Sequence, residues 1–190
     1  MPLRKPLAAT LGVLALGALA GCAGSRTPPP SLARIQTTGG VKTVRYLNDA
    51  LRFRAPTNWV TQTGSGPLVV TLGSGPALIA IWHYPRSASQ VIPIDPTQVK
   101  QARTALVAAA RSRDATFRVI SSAAVLLGGV PGVELDALET IRGQVRRVRS
   151  THFYRGGAEI VVDEYAPDDL FHAVDRSIFS PLLHSVRLGG

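Results

Sequence analysis

The sequence predicts an α+β domain, and three observations carry that expectation. Short runs rich in β-branched and aromatic residues recur from residue 43 onward, each closed by Gly or Pro. Two stretches with apolar residues at helical spacing interrupt and end the series. The pairs Arg142-Gly143 and Gly156-Gly157 join the later runs so tightly that neighbouring strands must be antiparallel hairpins.

In chain order, the first segment is an export signal. Arg4 and Lys5 precede an apolar run, Leu7 to Ala20, that is too short to span roughly 30 Å of hydrocarbon, and small residues lead to a cleavage point. Leu19-Ala20-Gly21-Cys22 resembles the lipobox of bacterial lipoprotein precursors. That resemblance implies that residues 1–21 are removed and that Cys22 receives a diacylglyceryl group. The ordinary alternative is a secreted protein whose cysteine happens to lie near the cleavage site. Two acyl chains anchor stably at about 0.8 kcal/mol per buried methylene. With its only cysteine acylated, the mature chain has no disulfide, thiolate nucleophile or Cys-bound zinc.

Residues 22–40 then read as the lipidated cysteine and a linker, "AGSRTPPPSLARIQTTGG", with no acidic residue and no periodic apolar stripe. Such a linker reaches roughly 25 Å as a coil and about 60 Å at full stretch. Residues 41–190 form one domain large enough for its own core.

Within that domain, "TVRYL", "LRFRAP", "NWVTQT", "PLVVTLG" and "ALIAIWHYP" predict five strands. A helix follows over residues 95–114, with Asp95 as N-cap, Pro96 at the first helical position and Gln98 completing a capping box. Its buried stripe is Val99, Ala102, Leu106 and Ala109 or Ala110, leaving Lys100, Arg103 and Arg111 to solvent. Four strands come next: "TFRVISSAAVLL", "GVELDALETI", "QVRRVRSTHFY" and "AEIVVDEYA". A second helix starts near Asp168, buries Leu170, Phe171, Val174 and Ile178, and stops at Ser180-Pro181, after which "SVRL" offers a short strand.

The hairpin tips fix a register. Across Arg142-Gly143, opposed residue numbers sum to 285, so Glu139 faces Arg146 and Asp136 faces Arg149. Across Gly156-Gly157 they sum to 313, so Arg149 also faces Glu164. The run "RRVR" therefore reads as paired sheet residues, each cross-strand pair contributing roughly 0.2–1 kcal/mol, before it reads as a basic binding site.

The same register sets Ser150, His152 and Asp163 on one face, the components of a nucleophilic triad. Residues two apart on a strand are about 6–7 Å apart, which argues against a direct Ser–His bond. No Gly-x-Ser-x-Gly elbow is present. The expectation is no catalytic residue, and a polar patch instead. His83, His152, His172 and His184 follow no metal-ligand spacing. Asp163, Glu164, Asp168 and Asp169 could hold calcium, though Asp168 and Asp169 also suit a helix start. No metal or cofactor is expected.

The mature chain carries 19 basic and 12 acidic residues, a net charge of +7. Of the 21 basic residues in the whole chain, 18 are Arg, a skew that coding bias in a GC-rich genome produces. Anionic headgroups or wall polymers are conceivable contacts, whereas export makes nucleic acid a poor partner.

"LRFRAPTNW", "SSAAVLLGGVPGVELDAL", "GGAEIVVDEYAPDDLFHAV" and "LLHSVRL", in that order over about residues 44–188, resemble the elements of PsbP-like domains. Lipoproteins of the LpqN type share the lipobox and linker as well. The resemblance implies an α/β/α sandwich with a central antiparallel sheet and two main helices, and non-enzymatic work. Members assist a photosynthetic complex, bind a small GTPase or sit on bacterial surfaces. The matching positions determine fold, so no site residue is carried over. The functional expectation is a membrane-anchored, extracytoplasmic binding or assembly factor of the cell envelope with a protein partner. Alternatives are a carrier of a small apolar ligand or lipid and, more weakly, a hydrolase.

Overall fold

The computed structural model describes residues 34–36, 39–87, 93 and 95–189. Cys22, the segment read as an export signal and most of the segment read as a linker lie outside them. Among the described residues no helix is long and apolar enough to cross a membrane.

Two antiparallel sheets organise the chain. The larger has seven strands in the order β3-β4-β5-β9-β8-β7-β6. These are β3 (Val60–Thr63), β4 (Leu68–Ser74), β5 (Ala77–Pro85), β6 (Arg118–Leu127), β7 (Val130–Ile141), β8 (Gln144–Arg155) and β9 (Ala158–Ala166). The smaller joins β1 (Val41–Tyr46), β2 (Leu51–Pro56) and β10 (Arg187–Leu188) in the order β1-β2-β10. The final "SVRL" thus does form a strand. A separate second sheet was not foreseen, because strand signals say nothing about which sheet a strand joins.

Helix α1 (Pro96–Arg113) covers one face of the large sheet. Its capping box is present: the Asp95 carboxylate accepts from the backbone N–H groups of Thr97 and Gln98. Val99 packs with Val133, Leu135 and Tyr154, and Ala102, Leu106 and Val107 close over them. Of the two alternatives for the last stripe position, Ala110 is buried and Ala109 exposed.

The other face carries the main core. Ile79, Ile81, Phe153 and Val162 meet Phe53 and Trp59 from the first half of the chain, and Phe171, Phe179 and Leu182 from the C-terminal helix. That helix does not stop at Ser180-Pro181. α2 (Asp168–Val174) passes through a π-helical turn, Asp175–Phe179, into α3 (Ser180–Ser185) with helical backbone at each junction. Pro181 fits because the π turn hydrogen-bonds five residues back and widens the helix just ahead of the ring. Leu170 is also a correction. It is 40% exposed, since Phe171, Val174 and Ile178 define the buried face and Leu170 lies roughly 100° away.

The hairpin registers are as expected, with Asp136 opposite Arg149 and Ser150 opposite Asp163. Arg142 and Gly143 both have positive φ (50° and 76°), as do Gly156 and Gly157, the backbone a type I′ turn demands. Gly132 is required for a different reason. A Cβ there would come within 2.5 Å of the His152 carbonyl, beneath the Phe153 ring.

Candidate functional site

Alternation along β8 and β9 sends two sets of polar side chains to opposite faces. Toward α1 point Ser150, His152 and Tyr154 of β8, and Glu159, Asp163 and Tyr165 of β9. They form one hydrogen-bonded chain. Ser150 Oγ donates to Asp163 Oδ1 at 2.5 Å and lies 3.1 Å from His152 Nε2. His152 Nδ1 faces Glu159 Oε1 at 2.7 Å. Glu159 Oε2 accepts from Arg86 at 2.7 Å, and Arg86 sits over the Tyr154 ring. Trp82 Nε1 donates to Asp163 Oδ2 at 2.9 Å and its indole stacks on Tyr84, which is 40% exposed.

The expected separation of Ser150 and His152 is therefore overturned. The 6–7 Å argument measures backbone positions, whereas the imidazole is long enough to lean back over its neighbour and close the gap. What the contact can do is limited by hydrogens. The Ser150 hydroxyl has one proton and donates it to Asp163. Ser150 is then placed to accept from His152 Nε2, so this contact does not aim the serine proton at the imidazole. Ser150 also lies in the middle of the sheet, laddered to β7 on one side and β9 on the other.

The network lines a cavity of about 360 Å³ between the sheet and the C-terminal half of α1, with Arg113, Asp114, Phe117 and Glu139 on its other walls. Burial holds the Asp163 carboxyl above its usual range, against the bonds from Ser150, Trp82 and Tyr165. Burial also raises Glu139, helped by the charges of Asp114 and Asp163. Glu159 goes the other way: burial would raise it, but His152 and Arg86 together hold it low. Burial pushes the Tyr165 and Tyr154 hydroxyls well up. The cavity has the volume a small guest needs, but its carboxylates do not suit an apolar one.

The opposite face holds Arg147 and Arg149. Arg149 Nε donates to Glu164 at 2.6 Å, and its Nη2 lies 2.8 Å from Asp175 in the π turn. Glu164 is fully buried, which pushes its carboxyl up to about 7 against the pull of Arg149. Arg147 takes both oxygens of Asp136, at 2.9 and 2.6 Å, and lies over the Phe171 ring. Thus Arg149 does pair with Glu164, whereas Asp136 turns to Arg147 rather than to its registered partner. Arg146 is opposite Glu139 but donates to the Pro76 carbonyl at 2.5 Å. An arginine side chain spans more than one rung, so register fixes the face and leaves the partner open.

The four carboxylates weighed as a calcium set are dispersed. Asp163 and Glu164 point to opposite faces, and Asp168 and Asp169 open α2. Among the described residues no three His, Cys, Asp or Glu side chains stand as a metal set. Sequence reasoning missed Glu159 and Arg86. Glu159 was within reach, since the register sum places it on the face of His152; Arg86 follows the last residue of β5 and had no periodic signal.

The architecture is that of a PsbP-like domain. The solution structure of cyanobacterial PsbP (CyanoP) from Synechocystis superposes with a TM-score of 0.62 at 14% identity, over 91% of this chain and 100% of that one. The crystal structure of LpqN, involved in cell envelope biogenesis of Mycobacterium tuberculosis, gives 0.54 at 15% identity, over 80% of this chain and 91% of that one. A structure from Bacteroides thetaiotaomicron gives 0.53 at 8% identity, over 78% of this chain and 48% of that one. No protein-family model matches the sequence, and comparison with curated proteins finds no match.

Proposed function

We propose that this chain is an extracytoplasmic lipoprotein, anchored through Cys22, that serves the cell envelope as a binding or assembly factor and breaks no bond. One observation carries the reading: Ser150 Oγ donates to Asp163, so its proton is aimed away from His152, the neighbouring candidate base. A PsbP-like fold and the envelope role of LpqN support it by analogy alone. A lipid anchor would hold the domain within linker reach of membrane and wall partners, raising their effective concentration.

The test treats the full-length lipoprotein, in mild detergent, with a fluorophosphonate probe and an activated ester. No labelling and no turnover are expected, and native mass spectrometry of the same material should carry the added mass of a partner protein. Labelling at Ser150 that Ser150→Ala abolishes would make it a serine hydrolase and end the binding reading.

A further inference from the structure

The large sheet has two unlike edges. β3 is four residues long, whereas β6 runs for ten with one charged residue and no proline. Long, neutral, open edges template the addition of another strand, and natural sheets shorten, charge or cover them. Among the described residues, the backbone of β6 bonds only to β7. Leu126 is 71% exposed and Ile120 48%. Only the register shift between Val119 and Ser121 blunts this edge, near one end.

Beside β6 runs a groove of about 340 Å³ between the strand and α1, lined by Arg103, Thr104, Val107, Ala108, Arg111 and Ser122. Its floor is small and apolar, and its helix wall is cationic. Arg147 and Arg149 are saturated with carboxylates. Arg103 and Arg111, by contrast, enter no ion pair among the described residues.

We infer that β6 is a docking edge for an extended acidic segment of another protein, which adds a strand to the sheet and sets its carboxylates against Arg103 and Arg111. The main chain of β6 supplies the hydrogen bonds and the alternate side chains supply selectivity. Arg103 and Arg111 stand about 12 Å apart along the helix axis. Same-face strand positions four residues apart are separated by about 13 Å. Acidic residues at i and i+4 therefore meet both arginines. A second copy of this chain fits worse. Antiparallel pairing of β6 with itself puts both α1 helices on one side of the joined sheet, where Arg103 and Arg111 would confront their own copies.

This inference rests on the binding reading above and names the partner's chemistry. The probe is the peptide TVEVTVEVT, titrated into the full-length chain in mild detergent while backbone hydrogen exchange is followed by mass spectrometry. Exchange should slow over residues 118–127. Binding should weaken by at least about tenfold, close to 1.4 kcal/mol, on Arg103→Glu with Arg111→Glu, and equally when lysines replace the peptide's glutamates. The peptide swap leaves the protein untouched, so a folding defect cannot mimic it. No binding at about 1 mM peptide, protection away from β6, indifference to charge, or protection that grows with protein concentration without peptide would each overturn the inference. If the lipoprotein carries a partner protein while the peptide leaves β6 unprotected, the binding function stands and this edge is not its site.

Discussion

Arg149 and Ser150 are adjacent on β8, and Glu164 and Asp163 face them across one ladder, yet the two pairs live in different chemistry. Arg149 and Glu164 are sealed under the C-terminal helix and joined by Asp175. Ser150 and Asp163 line a cavity beneath α1. A single-residue step along the strand thus separates an internal ionic staple from an open polar site. The staple ties sheet to helix, while the cavity network borders open space.

The largest effect is expected where that staple is broken. Arg149→Met strands buried Glu164 beside Asp175 and should lose about 3–5 kcal/mol in urea unfolding, the usual cost of leaving a buried charge unpaired. A loss under about 1 kcal/mol would erase the contrast between the faces. Next comes a pH effect with a definite sign. The Glu164 carboxyl goes from its usual 4.5 to about 7 on folding, so the folded state holds the proton more tightly. Its contribution is full below pH 4.5 and is lost as pH rises toward 7, at up to about 1.4 kcal/mol per pH unit. Glu164→Gln keeps an oxygen for Arg149 but cannot titrate. The stability difference, wild type minus variant, should therefore fall between pH 4.5 and 7 and be flat above. A flat difference throughout would mean that the ion pair fully offsets burial.

The contrast between faces was readable in the sequence, but its partners were not. Turn pairs fixed the register, and register fixed that Ser150, His152 and Asp163 share a face. The Asp95–Gln98 capping box was equally local and equally legible. What escaped depended on side-chain reach or on helix packing. His152 leaning on Ser150, Asp136 choosing Arg147, and the π turn that carries the helix past Pro181 are settled by neighbours distant in sequence. The open edge at β6 escaped as well, because strand order in a sheet leaves no trace in the composition of the strand.

On the cavity side the effects should be smaller and divided in sign. Ser150→Ala leaves a half-buried Asp163 oxygen one bond short and should lose about 1 kcal/mol, the low end of the penalty for an unsatisfied polar group. Glu139→Gln should do the reverse. Burial, then repulsion from Asp114 and Asp163, hold the Glu139 carboxyl high against the pull of Arg113, and Arg146 bonds the Pro76 carbonyl instead. Its folded form therefore favours the proton, so the charge destabilises the fold at neutral pH. Removing it should stabilise by no more than about 0.5 kcal/mol, since the group is partly exposed and screened. The gain should vanish below pH 4.5, where wild-type Glu139 is protonated in both states. Thermal unfolding at pH 7 and pH 4 distinguishes this from a packing effect, which would persist at both. A destabilised variant at pH 7 would instead mean that the attraction of Arg113, which shares this cavity wall, outweighs burial and repulsion together, and that the cavity face is as internally paired as the arginine face.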